Sequence, residues 1–328
     1  MATDVRSRDE TENGRGRQAT RPREVPLRGW LDALKRTRRG IRDTNASIVA
    51  AGVAFYAFLA LVPALIAVVA IYGLVANPAD VKDQITSFTS AAPRDAQRLL
   101  SNQLSSITRG ARGGTGIAAA IAIGAALWSA SSGIAALNTG LTVVNRENET
   151  RGMLKRRLLA LVLTLLAVVG VLAMLALVIA LPSLLESAGI SGIGKTALEL
   201  ARWPLLALLL LDGLAVIFRY GPQRRRPKWR WISPGAVVAM IVGLVASIGF
   251  SIYVSLLGNY NKTYGALGAI IVVLLWLYLM AFAVLFGAAL NAELEHQTAR
   301  DTTAGDERPM GERGAHVADT VGPTRKEL

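Results

Sequence analysis

The sequence predicts an all-α integral membrane protein, a polytopic transmembrane helical bundle with six spans. Two observations predict this class. Hydrophobic residues make up 52% of the 328 residues and charged residues only 18%, a balance that does not suit the surface of a soluble domain. In addition, five stretches of 24 to 31 residues contain no Asp, Glu, Lys or Arg, whereas a membrane-spanning helix needs only about 20 apolar residues.

The distribution of basic residues predicts the number of spans and their direction. A sixth apolar stretch, residues 203–218, is interrupted only by Asp212, and 28 of the 36 Lys and Arg residues lie in the N-terminal segment, the second and fourth loops and the C-terminal tail. The positive-inside rule therefore predicts six spans with both termini in the cytoplasm. The membrane domain covers residues 46–292, with spans at 46–76, 115–144, 158–181, 203–220, 232–257 and 265–291.

The segments outside the membrane domain are polar. Residues 1–24 and 293–328 contain few apolar side chains and are predicted to be disordered, the first as a basic tail and the second as a cytoplasmic tail. Residues 25–45 are predicted to form an amphipathic helix that lies on the cytoplasmic membrane surface. A cytoplasmic helix packed against the loops is the alternative. The apolar face of this helix consists of Leu27, Trp30, Leu31, Leu34 and Ile41.

The net charge of +13 favours lipid over nucleic acid as the partner. The basic residues cluster near the span ends, where anionic lipid headgroups lie, and no nucleic-acid-binding motif accompanies them. Membrane lipids, including anionic headgroups at the cytoplasmic face, are therefore the predicted partners. There is no cysteine, and the two histidines follow the last span, so the sequence predicts no metal site, cofactor or catalytic residue.

Polar residues inside the spans are the candidates for substrate contact. Asp212 in the fourth span is either functional or a protonated or hydrogen-bonded residue that faces a neighbouring helix. Pro63 in the first span is a candidate hinge, with a static kink as the alternative. Near the turn between the fifth and sixth spans, interface anchoring competes with substrate contact. The remaining candidates for a cavity or substrate contact are Tyr56, Trp128, Ser129, Asn138, Asn259, Tyr260 and Tyr264.

Several short blocks of the sequence are distinctive. They are Ala54-Phe-Tyr-Ala with Pro63, Leu127-Trp-Ser-Ala-Ser followed by Asn145, Arg151-Gly with the following Lys-Arg-Arg, Pro234-Gly-Ala, and the run from Tyr260-Asn-Lys-Thr-Tyr-Gly to Asn291-Ala-Glu-Leu. Together they resemble the YihY/BrkB family of bacterial inner-membrane proteins over about residues 30–296. The resemblance implies a six-helix protein of the bacterial plasma membrane without an established activity, for which transport of lipids or other amphiphiles is one suggestion.

The same family has carried a ribonuclease label, which the residues here argue against. Hydrolysis of a phosphodiester usually needs a metal cluster or a paired acid and base, and the acidic residues of this chain are mostly dispersed through tails and loops. The sequence therefore predicts that the protein is not an enzyme.

Two functions follow from these observations. The first is a transporter or flippase of a lipid-like or amphiphilic substrate. Its cavity would lie between the first, second, fifth and sixth spans and be lined by Tyr56, Trp128, Ser129, Asn138 and Asn259. The second is a non-catalytic envelope scaffold or interaction protein. In a scaffold the bundle would be solidly packed and Asp212 would be bonded internally.

Overall fold

The computed structural model describes residues 14–75, 116–181, 192–256 and 266–324, together with Leu185, Ser187 and Gly189. Six helices in these ranges are long and apolar enough to cross a membrane, and no strand forms in the same ranges. These observations confirm the predicted all-α class with six candidate spans. The helices are α1 (Leu27–Asp43), α2 (Ala46–Val75), α3 (Gly116–Val144), α4 (Met153–Leu175), α5 (Ile193–Tyr220), α6 (Trp229–Leu256), α7 (Ala266–Glu295) and α8 (His316–Asp319).

Helix α5 shows the largest difference from the predicted boundaries. The sequence places the start of the fourth span at residue 203, but α5 begins at Ile193. The added turns contain Lys195, Glu199 and Arg202, which ended the uncharged stretch in the sequence although such residues are good helix formers. The charged residues therefore mark the end of the uncharged stretch, but the helix continues through them.

The described residues divide into two compact units. The described residues of the first unit fall within 1–55, 135–156 and 210–328, and those of the second fall within 56–134 and 157–209. The core of the first unit is built largely of small and aliphatic side chains, which permit the close helix packing on which membrane proteins depend. Its buried members are Ala46, Ala50, Val53, Leu141, Val144, Phe218, Ile232, Ala236, Ala239, Ala281, Leu285, Ala288 and Ala289.

Helices α6 and α7 make the closest approach in the first unit. A Cβ atom on Gly235 would lie 2.1 Å from the carbonyl oxygen of Gly287, and one on Gly287 would lie 2.3 Å from the carbonyl oxygen of Gly235. Separations below 3.0 Å are not accessible to real Cβ atoms. The absence of a side chain at both positions therefore allows the two backbones to touch.

Helix α1 packs one face against the first unit and leaves the other face exposed. The packed face is formed by small and polar residues, including Ala33, Arg36 and Thr37. Leu27, at 76% exposure, belongs to an exposed apolar stripe with Leu31 and Leu34. The helix thus combines features of both sequence interpretations, because it contacts the protein on one side and presents leucines on the other.

The described parts of the two terminal segments, for which the sequence predicts disorder, form hydrogen bonds with each other. The Ala299 amide donates to the Arg17 carbonyl at 2.8 Å, the Thr298 hydroxyl donates to the Ala19 carbonyl at 2.7 Å, and an Arg17 guanidinium nitrogen donates to the Gly322 carbonyl at 2.7 Å. Residues 14–24 and 296–324 therefore have defined positions. Hydrogen bonds and the buried Thr298 side chain hold these segments to each other.

Candidate functional site

Two carboxylates at the end of α7 organise the polar side chains of the first unit. Glu293 accepts a hydrogen bond from Arg36 Nε at 2.7 Å and another from Arg146 Nη2 at 2.7 Å. The side chains of Arg36 and Glu293 are 3% and 5% exposed. Charges buried this deeply require paired, hydrogen-bonded partners, so α1 and the segment after α3 are both fastened to the end of α7.

The second carboxylate, Glu295, pairs with the loop between α5 and α6. Arg224 donates to it through Nη2 at 2.6 Å and through Nη1 at 3.2 Å, and both side chains are 2% exposed. Arg224 Nη1 also donates to Asn145 Oδ1 at 3.1 Å, and the Thr302 hydroxyl donates to Glu295 at 2.9 Å. We call Arg36, Arg146, Arg224, Glu293 and Glu295 the ionic network.

Asn291, one turn earlier on α7, joins this helix to the start of α6. Its Oδ1 accepts a hydrogen bond from the Gly235 amide at 2.7 Å, and its Nδ2 donates to the Ile232 carbonyl at 2.8 Å. Because Pro234 lacks an amide hydrogen, the helix is weakened at this turn, and the Asn291 side chain supplies partners there. The Pro234-Gly-Ala and Asn291-Ala-Glu-Leu blocks of the sequence are therefore in direct contact.

The end of α3 has a backbone conformation that aims Arg146 at Glu293. Arg146 has a φ of 58°, and the Arg146 and Glu147 amides donate to the carbonyls of Val143 and Thr142. These bonds form a Schellman motif, whose left-handed position usually holds glycine. A non-glycine residue costs about 1 kcal/mol in this conformation, so the Arg146–Glu293 contact offsets a local strain.

We expect Arg146→Gly to be more stable than Arg146→Ala by about 1 kcal/mol, because only the alanine variant keeps the left-handed strain. Both variants lose the contact with Glu293, whose carboxylate keeps Arg36 as a partner. Denaturant unfolding in detergent, followed by circular dichroism, measures the difference. Equal stability of the two variants would contradict the proposed role of the backbone conformation.

Two further acidic residues, Glu147 and Glu149, follow α3 and lie outside the ionic network. Burial raises the pKa of Glu147, and the hydrogen bond from the His316 amide opposes this shift without cancelling it. The next acidic residue, Glu149, has a lowered pKa because Arg151 donates a hydrogen bond to it.

A cavity of about 10 Å³, close to the space for one water molecule, lies beside the ionic network and is lined in part by Asn145, Arg224 and Glu295.

The candidate residues from the sequence fall in different places. Asp212 is exposed on α5, and no hydrogen bond or ion pair links it to another described residue. Asn138 is 5% exposed, and its Oδ1 has no hydrogen-bond partner in the described part of the chain. In the second unit, Tyr56 and Trp128 are about half exposed. Ser129 is exposed on α3 and Pro63 lies inside α2, whereas Asn259, Tyr260 and Tyr264 lie outside the described residues.

Arg157 in the second unit contacts Trp128, and the sequence interpretation did not include it among the candidate residues. Its guanidinium carbon lies 4.4 Å from the centre of the Trp128 ring, and its Nη2 donates to the Trp128 carbonyl at 2.7 Å. The predicted third span starts at residue 158, so Arg157 was assigned to the lipid headgroup region. A cation directly before an apolar stretch, combined with a tryptophan in the preceding span, was the available signal.

Metal chemistry has no visible site in the described ranges. They contain no group of three or more His, Cys, Asp or Glu side chains that could hold a metal ion. The side chains of the ionic network bond to one another, to neighbouring polar side chains and to backbone groups.

Comparison with known proteins places the chain in a family. The model of the virulence factor BrkB family matches residues 37–311. A protein of Bacillus subtilis described as ribonuclease-like, YfkH, is 30% identical over 250 residues, which are 74% of this chain and 88% of the relative. A UPF0761 membrane protein of Rhodospirillum centenum is 28% identical over 81% of this chain, and one of Xanthomonas oryzae pv. oryzae is 30% identical over 78%.

These matches cover different shares of the relatives. The chain spans 58% of the Rhodospirillum protein and 59% of the Xanthomonas protein, so these relatives are considerably longer. No solved structure matches the chain. The family match includes the Pro234-Gly-Ala and Asn291-Ala-Glu-Leu blocks that contact each other, as well as Arg146, Arg224 and both carboxylates of the ionic network. The chain belongs to the virulence factor BrkB family of multi-pass membrane proteins.

Proposed function

We propose that the protein is a transporter or flippase of a lipid-like or amphiphilic substrate. The observation that carries this proposal is the environment of Asp212. The residue lies inside the candidate span Gly194–Tyr220. No residue in the most apolar part of this span is buried within the protein. Its carboxylate is exposed and has no bonding partner among the described residues.

An exposed carboxylate in this position needs a polar environment. Placing an ionised aspartate in the apolar part of a membrane costs at least ~2.5–3.5 kcal/mol. Internal hydrogen bonding would remove this cost in a scaffold, but Asp212 lacks it among the described residues. We infer that Asp212 faces either a water-filled pathway or the polar part of a substrate.

The apolar surroundings of Asp212 favour an amphiphilic substrate. Leu208 and Leu210, its near neighbours on α5, are exposed, so the same helix presents an acid and aliphatic surface together. Elsewhere in the first unit, the buried side-chain oxygen of Asn138 has no hydrogen-bond partner among the described residues. A substrate with a polar headgroup and an apolar chain would meet both kinds of surface.

We also infer that the end of the bundle with the ionic network faces the cytoplasm of a bacterium, in the plasma membrane. Arg226 stacks on Tyr220 at 4.7 Å, and Arg219 stacks on Trp229 at 4.6 Å. Neither guanidinium pairs with a carboxylate in the part of the chain that the structure describes. Unneutralised cations beside interfacial aromatic residues fit the anionic headgroups of the cytoplasmic leaflet.

We expect Asp212→Asn to lower the rate of lipid exchange by about tenfold, equivalent to ~1.4 kcal/mol in the barrier. The protein is reconstituted into phosphatidylethanolamine and phosphatidylglycerol vesicles that contain a fluorescent analogue of either lipid. Dithionite added outside then bleaches the analogue as it reaches the outer leaflet. The matched control is Asp43→Asn, which makes the same change at an exposed position at the end of α1.

Two results would count against the proposal. If wild-type protein exchanges neither lipid faster than empty vesicles do, a flippase of these lipids is excluded. If Asp212→Asn and Asp43→Asn behave alike, Asp212 has no part in transport. Retained cellular function in Asp212→Asn, together with its loss on deletion of residues 1–26, would instead favour the scaffold, which the defined contacts of the terminal segments also permit.

A further inference from the structure

We propose that Arg157 and Trp128 form a binding site for the phosphate of an anionic headgroup on the transported amphiphile. This inference rests on the proposed function and deepens it by naming the charge of the substrate. Arg157 Nη2 donates to the Trp128 carbonyl at 2.7 Å, and the guanidinium lies 4.4 Å above the Trp128 ring. The two side chains therefore form one platform within the second unit.

The platform joins the start of one candidate span to the middle of another. Trp128 is close to the middle of α3 and lies in the span Ala120–Val144, while Arg157 lies in the span Met153–Val178. Snorkelling towards the headgroups would leave the guanidinium near the span end, whereas here it reaches the middle of α3.

The partners of Arg157 do not neutralise it. No carboxylate pairs with it among the described residues, and its Nε is buried without an acceptor there. The Trp128 carbonyl is uncharged and also accepts a hydrogen bond from the Ser131 hydroxyl at 2.7 Å. A guanidinium carries five N–H donors in a planar fork; with Nε buried and one Nη2 donor bonded to Trp128, those of Nη1 and the second of Nη2 are left for a ligand.

The two arginines near Arg157 in the sequence share one carboxylate. Arg151 contacts Glu149 at 2.8 Å, and Arg156 lies 3.9 Å from the same carboxylate. Arg157 differs from both because its charge is left for an external anion. Phosphate suits this position, since its oxygens match the guanidinium fork in a bidentate contact.

The binding test uses the full-length protein in detergent with graded amounts of phosphatidylglycerol or phosphatidylcholine, read by native mass spectrometry. We expect wild type to retain phosphatidylglycerol preferentially and Arg157→Gln to lower its affinity about tenfold, as expected for a lost charged hydrogen bond. Arg156→Gln is the matched control, because it removes an equal charge at the adjacent position, and it should change the affinity less than about twofold on the same scale.

The remaining arms separate the possible outcomes. Arg157→Lys keeps the charge but not the fork, so it should bind less tightly than wild type; this variant decides the matter if Arg157→Gln does not fold. Competition by soluble glycerol phosphate would identify free phosphate as a second source of the ligand, whereas competition by lipid alone would identify the headgroup. Unchanged phosphatidylglycerol affinity in both Arg157 variants would overturn the site. Loss of binding in Arg157→Gln without any lipid exchange by wild type would leave the site standing and remove the flippase.

Discussion

Replacing Arg224 by Met is expected to destabilise the protein by about 3–5 kcal/mol, because it leaves Glu295 buried without its counter-ion. The two side chains are each 2% exposed and are joined by hydrogen bonds of 2.6 and 3.2 Å. Bulk water does not reach a carboxylate at this burial, so it cannot solvate the charge as it would at the surface. Denaturant unfolding in detergent, monitored by circular dichroism, measures the free energy of unfolding.

Two further variants identify the cause of this loss. The double variant Arg224→Met with Glu295→Met removes both charges and should recover part of the stability, because a buried ion pair exchanged for apolar residues is often close to neutral. The recovery stays partial, since Asn145 and Thr302 lose their hydrogen-bond partners. Arg226→Met, at an exposed arginine of the same loop, should remain close to wild type. A double variant less stable than the single one would contradict the electrostatic explanation.

The membrane architecture could be predicted from the sequence because it depends on local composition. Each span is a long apolar stretch, and alternating basic loops give the count of six. The structure adds contacts among α1, the loops after α3 and α5, and the C-terminal tail, through Arg36, Arg146, Arg224 and the two α7 carboxylates. These contacts join residues as far apart in sequence as Arg36 and Glu293, so composition gave no sign of them.

The same limit explains the terminal segments and the candidate site. Composition places charged residues in the lipid headgroups or in solvent, so it gives no sign of the role of Arg36 or of the contacts near Thr298. The sequence predicts Trp128 as a contact residue, whereas Arg157 precedes the predicted third span by one residue and is not among the candidates. Side-chain reach across a helix pair, unlike periodicity, cannot be seen in a linear sequence.

Substituting Gly235 by Ala is expected to cost at least ~1–3 kcal/mol, the range for forcing extra atoms into a well-packed interior. The added Cβ would meet the Gly287 carbonyl oxygen at 2.1 Å and the Asn291 side-chain carbon at 2.4 Å. Both contacts involve groups that cannot move independently, because one is helix backbone and the other is hydrogen-bonded to Ile232 and Gly235. Helices α6 and α7 would therefore have to separate, and Asn291 would lose its bonds.

Gly249→Ala is the matched control on the same helix, where a Cβ meets nothing within 4 Å. Without a steric clash, the better helix propensity of alanine should leave the protein as stable as wild type or more stable by up to ~1 kcal/mol. The unfolding free energies of the two variants in detergent test the prediction directly. Equal effects at Gly235 and Gly249 would mean that the α6–α7 contact does not depend on the missing side chain, and the joining role of Asn291 would lose its steric basis.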